Sequence, residues 1–312
     1  MNQNFTGVCP VMLTPFTEDN KIDFSSLEKL TDWYIRSGAS SLFAVCQSNE
    51  MFFLTATERV AYARFVKERS SVPVFAVGNV ERDREKALKE IEGLMDAGID
   101  GIVFITNTFG PKDMTTKQWQ EAVEWYLERI PAEVTLGLYE CPVPYKHLIS
   151  EEEMRFIVET NRFSFLKDTC CDTDMIRMRL QIIGDAPLSL FNANSTTLLD
   201  TLKAGSAGFC GIMSNFNTRL CVWLCENWKN SPQEAEYVQS VLSTASKFGD
   251  DTYPVNAKAY LCRKHILNTT VTRVKDRSVL TQLDVEDLEQ LSILFACTED
   301  QIFSGPGLEA DL

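Results

Sequence analysis

Short apolar runs recur near residues 7–13, 41–45, 73–77, 101–105, 134–139, 163–167, 187–191 and 207–213, and each is followed by a longer stretch with apolar residues at helical spacing. Eight such strand–helix units in succession predict an α/β fold, a (β/α)8 barrel of the TIM type. The helical stretches carry their own punctuation. Thr55-Ala56-Thr57-Glu58 and Ser150-Glu151-Glu152-Glu153 have the spacing of capping boxes, which supply partners to free amides at helix starts. Gly38, Gly98 and Gly205 stand where helices should end, at positions that favour a left-handed residue. After the eighth unit the pattern is helical only, over roughly 216–230, 233–247, 255–267 and 285–297. The chain is therefore expected to divide into a barrel over 1–230, a C-terminal helical appendage packed on it over 231–303, and a flexible tail over 304–312.

Composition narrows the function. A chain of 312 residues with 45% hydrophobic content can bury a full core. Its net charge of -14 argues against a nucleic-acid partner and against an anionic membrane surface, both of which need a basic face. An anionic substrate must then be held by local donors. The opening Met1-Asn2-Gln3-Asn4-Phe5-Thr6-Gly7 lacks the marks of a signal peptide, and no run is long enough to span a bilayer, so a cytoplasmic location is expected. Ten cysteines without a repeated spacing fit free thiols better than a disulfide framework. With only His147 and His265 to supply imidazole, a structural zinc site is not expected.

The chemistry concentrates at strand ends, where barrels of this kind place their active sites. Phe163-Ser164-Phe165-Leu166-Lys167-Asp168 reads as a buried sixth strand ending in a lysine. On the inside of a closed barrel that lysine loses hydration and should supply an amine nucleophile, unless it snorkels to the barrel rim and pairs with a carboxylate. Strand 1 leads into Thr14-Pro15-Phe16, strand 2 into Cys46-Gln47-Ser48-Asn49-Glu50, strand 4 into Asn107-Thr108-Phe109, and strand 5 ends at Tyr139-Glu140-Cys141-Pro142. Strand 8 leads to Gly208-Phe209-Cys210-Gly211 and Asn215. A lysine, a tyrosine and hydroxyl-bearing turns on one face suit Schiff-base chemistry: an amine condenses with a carbonyl, a phenol moves protons, and donors hold a carboxylate.

In order and spacing these motifs resemble the pyruvate-dependent class I aldolases grouped around N-acetylneuraminate lyase and dihydrodipicolinate synthase. The matching elements are Thr14-Pro15-Phe16 with Ile22-Asp23, Glu50 with Leu54-Thr55 and Glu58-Arg59, Tyr139 with Pro142, Lys167-Asp168, Gly205, Gly208 and Asn215, and Pro254 with Lys258. The resemblance implies that Lys167 forms an imine with a 2-oxo acid such as pyruvate and that Tyr139 transfers protons. It implies substrate-binding roles for Gln47 and Ser48, with Thr14, Gly208 and Cys210 as further candidates. It also implies a homotetramer built as a dimer of dimers, with no metal and no organic cofactor.

Departures from the family pattern are informative. Cys46 and Asn49 replace two glycines of the strand 2 turn; asparagine tolerates a left-handed backbone, whereas Cys46 is harder to accommodate. Phe109 stands where the family has a relay tyrosine, and Pro144 stands where the synthases have an arginine, leaving Lys146 or His147 to compensate. Glu140 is either a second carboxylate at the site or a residue facing the helices, because neighbours on a strand point to opposite faces. The leading expectation is an N-acetylneuraminate lyase-like aldolase acting on a 2-oxo acid. Alternatives are a 4-hydroxy-tetrahydrodipicolinate synthase, a 2-keto-3-deoxy sugar acid dehydratase, or a barrel that binds a 2-oxo acid without turnover.

Overall fold

The computed structural model describes residues 4–248 and 252–304. The first half of the chain runs β1 (Gly7–Val8), α1 (Phe24–Arg36), β2 (Leu42–Val45), α2 (Ala56–Arg69), β3 (Val74–Val77), α3 (Arg84–Asp96), β4 (Gly101–Ile105) and α4 (Thr116–Leu127). The second half of the barrel follows as β5 (Thr135–Tyr139), α5 (Glu151–Thr160), β6 (Phe163–Asp168), α6 (Thr173–Ile183), β7 (Ser189–Asn192), α7 (Leu198–Ala204), β8 (Gly208–Phe209) and α8 (Thr218–Asn227). Then come α9 (Pro232–Ala245), α10 (Val255–Arg263) and α11 (Gln282–Phe303). The two expected capping boxes form at the starts of α2 and α5, and Gly38, Gly98 and Gly205 all take positive φ after their helices. Of the expected tail, Gly305 to Leu312 lie outside the described residues.

All eight strands are parallel, in the order β1-β8-β7-β6-β5-β4-β3-β2. The ring closes between its ends: Ser40 N–H donates to Val8 O, Phe43 N–H to Pro10 O, and Met12 N–H to Phe43 O. Most strands are buried on both faces, which is why they read as continuous apolar runs. Strands β1 and β8 are shorter than their apolar runs. In the 7–13 run Pro10 has no N–H to offer a ladder, and in the 207–213 run the chain turns into a 3-10 segment at Ile212–Asn215. Gly208 sits where β8 meets β1; a Cβ there would lie 1.8 Å from the Gly7 carbonyl oxygen, so only glycine permits this closure.

Aromatic rings fill the barrel interior. Phe165 stacks on Phe75 with centroids 4.7 Å apart and meets Phe191 at 5.0 Å, while Phe5 approaches Phe75 edge-on at 4.9 Å. Gly101 and Gly137 make room for them, since a Cβ would fall 2.5 Å from the Phe75 ring and 3.0 Å from Phe165. Truncating such a ring to alanine costs about 3–5 kcal/mol. This apolar floor supports the polar groups above it. Beyond the barrel, α9 packs on α7 and α8, and α11 packs on α9 and α10.

Candidate active site

Strand parity decides which side chains of β6 meet the barrel interior. Phe165 and Lys167 point inward, and Leu166 and Asp168 point to the helices. Lys167 is aligned with Tyr139 on β5 and Phe191 on β7. Its Nζ lies 4.1 Å from the centroid of the Tyr139 ring and 5.6 Å from that of Phe43, and the residue is only 5% exposed. Among the described residues no salt bridge involves Lys167. The Tyr139 phenol donates to Gln47 Oε1 at 3.4 Å, and burial, with the neighbouring Cys141 and Cys46, pushes its pKa well above the ordinary tyrosine value. It therefore stays protonated and available as a donor.

The same parity sends Glu140 outward. There it joins Asp168 around the guanidinium of Arg179 on α6, all three without solvent exposure. Glu140 also accepts from the Ile149 and Thr169 amides. It is thus part of the wall that orients the ends of β5 and β6, and it offers nothing to a substrate. Removing one partner from such a buried network leaves an uncompensated charge.

The turn after β2 differs from its expected form. Cys46 is extended, at φ -153° and ψ -178°, a backbone any residue adopts. The left-handed residue is Glu50, at φ 64° and ψ 34°, and not Asn49. Asn49 instead ties the turn, accepting from the Cys46 N–H with its side chain at 3.2 Å and from the Thr14 hydroxyl with its carbonyl at 2.6 Å. The Glu50 carboxylate accepts from Lys258 Nζ at 2.7 Å and from the Arg273 and Val274 amides. Those bonds hold its backbone in place and strap residues 271–274 over the turn.

A cavity of ≈ 520 Å³ opens above Lys167. Lys167, Tyr139, Gln47 and Ser48 line it together, with Thr169 beside them. Thr14, Gly208 and Cys210 do not line it. Thr14 lies behind the turn, bonded to Asn49; Gly208 closes the barrel; and Cys210 is fully buried in a thiol pair with Cys9, whose own pKa burial pushes up. Lys146 and His147 do not line it either, because Lys146 Nζ donates to Thr169 O at 2.6 Å and His147 pairs with Glu153 while stacking on Trp119. Phe109 is a core residue among Phe104, Trp119 and Tyr126. Asn107 donates to the carbonyls of Cys141, Val143 and Tyr145, so the end of β4 shapes the loop after β5 and supplies no relay.

Four lining residues come from beyond the barrel: Tyr253, Pro254, Val274 and Lys275. Sequence reasoning missed Tyr253. Its hydroxyl accepts from Asn215 Nδ2 at 2.8 Å, and Ser48 lines the same cavity beside it. Asn215 also donates to Val11 O, a pure acceptor, which fixes its amide orientation. Tyr253 thereby ties Asn215, and through it Val11, to the cavity wall beside Ser48. The signal for this residue was its position next to Pro254, a matched motif residue. Among the described residues no group of three His, Cys, Asp or Glu side chains could hold a metal ion, and no helix is long and apolar enough to cross a membrane.

The model of the dihydrodipicolinate synthetase family matches residues 4–274. The chain is 24% identical over 234 residues to the 4-hydroxy-tetrahydrodipicolinate synthase of Bacillus subtilis, covering 73% of this chain and 77% of that one. It is 26% identical over 261 residues to the putative 2-dehydro-3-deoxy-D-gluconate aldolase YagE of Escherichia coli, covering 81% and 84%. Among solved structures, the 4-hydroxy-tetrahydrodipicolinate synthase of Methylacidiphilum fumariolicum superposes with a TM-score of 0.85 at 16% identity, covering 96% and 98% of the two chains. YagE in complex with pyruvate superposes with a TM-score of 0.83 at 21% identity, covering 94% and 99%.

Proposed function

This chain belongs to the dihydrodipicolinate synthetase family, and from that premise we propose that it joins pyruvate to an aldehyde through an imine on Lys167. It is a lyase of the Schiff-base, class I aldolase type. The observation that carries the assignment of Lys167 is its burial at the floor of the cavity, beneath the Tyr139 ring and without a salt bridge. The amine adds to the keto carbon of pyruvate, water leaves, and the protonated imine draws electrons from the methyl carbon. The Tyr139 phenol protonates the hydroxyl that leaves as water, and its phenolate then takes a methyl proton to give an enamine, whose carbon attacks the aldehyde carbon. The new alkoxide takes a proton from Tyr139, and water then hydrolyses the imine to release a 4-hydroxy-2-oxo acid and free Lys167. Run backwards, the same steps cleave that acid to pyruvate and aldehyde.

In this reading the pyruvate carboxylate meets the Ser48 hydroxyl and nearby backbone amides, with Gln47 beside them. Between the finer readings, the synthase-type condensation is better supported than N-acetylneuraminate lyase-like cleavage, because the relatives named above include 4-hydroxy-tetrahydrodipicolinate synthases. YagE keeps a sugar-acid aldolase as the second reading. The test follows pyruvate consumption with a panel of aldehydes, comparing the protein with Lys167→Ala. Consumption by the protein alone supports the proposal, and equal rates for the two remove Lys167 from the chemistry.

A further inference from the structure

The cavity is far larger than pyruvate alone requires, and its outer half has a distinct chemistry. Phe53, Val143 and Val274 are 49%, 41% and 39% exposed, and all three line the cavity above Lys167. They arrive from three separate segments: the 3-10 turn after β2, the loop after β5, and the strap beyond α10. Each is fixed by its backbone. Val274 N–H is held by Glu50, the Phe53 carbonyl accepts from Arg273 at 3.0 Å, and the Val143 carbonyl accepts from Asn107 at 2.9 Å. Three exposed apolar side chains brought to one cavity from separate segments mark a binding surface.

The polar side chains of the cavity lie with Lys167 at its buried end: Tyr139, Ser48 and Thr169 are all buried, Tyr139 donates to Gln47, and Thr169 Oγ1 donates to Glu140 O at 2.7 Å. Lys275, the cation at the rim, has a partner of its own. A hydroxyl placed against Phe53, Val143 and Val274 would find no hydrogen-bonding side chain among them, whereas an apolar substituent would remove their exposed surface from water. We infer that the aldehyde half of the substrate is apolar, with an aromatic or branched aliphatic substituent seated on Phe53, Val143 and Val274. This rests on the reading of Lys167 as the imine-forming lysine, and the bonds made and broken are those given above for any aldehyde.

The test offers pyruvate with benzaldehyde or 3-methylbutanal, and separately with glyceraldehyde or aspartate semialdehyde, and reads kcat/KM for each. A parallel sample with pyruvate alone is reduced with borohydride. The expected result is a pyruvate adduct on Lys167 and a preference of roughly tenfold or more for the apolar pair, the scale on which an apolar pocket discriminates. An adduct with no turnover of the apolar pair, or with equal or better use of the hydrophilic pair, overturns the inference while leaving Lys167 intact. Absence of the adduct removes the Lys167 reading and this inference with it. Phe53→Ser is expected to narrow the preference by roughly tenfold. If it changes the oligomeric state by light scattering and leaves the preference untouched, the rim is a contact between copies of the chain, and the inference fails.

Discussion

Lys167 and Lys258 are both buried and both lie over aromatic rings, Lys167 at 4.1 Å from Tyr139 and Lys258 at 4.6 Å from Phe16. Their partners differ. Lys258 Nζ donates to Glu50 at 2.7 Å and to Val271 O at 2.7 Å, and through them it fixes the turn after β2 and the strap beyond α10. Lys167 has no salt bridge among the described residues and opens onto the cavity. Burial alone therefore does not mark a reactive lysine. A lysine whose donors are taken by a carboxylate and a carbonyl holds the structure together, whereas one left over an aromatic face is available to a carbonyl carbon.

If that contrast is sound, the two lysines fail differently when altered. Lys167→Ala should lower pyruvate consumption by at least about 10³-fold, as loss of a covalent nucleophile does, with an unchanged urea midpoint. Residual activity within tenfold of the parent would break the contrast at its first point. On the other side of it, Glu50→Ala strands the Lys258 ammonium and releases the strap. Urea unfolding should then show a loss of roughly 3–5 kcal/mol, and a loss below 1 kcal/mol would mean that the pair is not structural.

A smaller effect separates the polar support of the site from its chemistry. Tyr253→Phe removes a hydroxyl that lies in the cavity wall with Ser48 and accepts from Asn215, a hydrogen bond worth about 0.5–1.5 kcal/mol. The KM for pyruvate should rise up to roughly tenfold, with kcat changed less, and an unchanged KM would take Tyr253 out of substrate positioning. The smallest effect is a pH slope. Burial lowers Lys258 to about 8, with Glu50 opposing the shift, against about 10.4 for a lysine in the unfolded chain. Between those values the unfolded state binds the extra proton, so this group makes stability rise with pH from about 8 to about 10.4 and contributes no slope below. Relative to Lys258→Met, the parent should gain stability across that window by at most about 1.4 kcal/mol per pH unit, read by urea unfolding at several pH values. A flat difference would mean that Lys258 titrates normally.

The sequence made the barrel legible because most of the parallel strands are buried on both faces and most of the helices between them carry side-chain caps. Lys167 and Tyr139 were legible for the same reason, since a charged or phenolic residue at the end of an apolar run has few places to go. What escaped depends on three-dimensional closure. Gly208 and Thr14 sit at matched motif positions, yet one answers to the backbone of β1 and the other to the carbonyl of Asn49. Glu50 takes the left-handed conformation that residue preference would give to Asn49, because its carboxylate is anchored on both sides. Tyr253 and Val274 lie well past the last strand, where no periodic signal says that the chain returns to the barrel mouth.

The central claim is that Lys167 and not Lys258 carries the imine, and peptide mapping after borohydride reduction with pyruvate tests it most directly. The account predicts a single pyruvyl-modified peptide containing Lys167, absent from Lys167→Ala, with the Lys258 peptide unmodified. Modification of Lys258, or an adduct that survives Lys167→Ala, would contradict it.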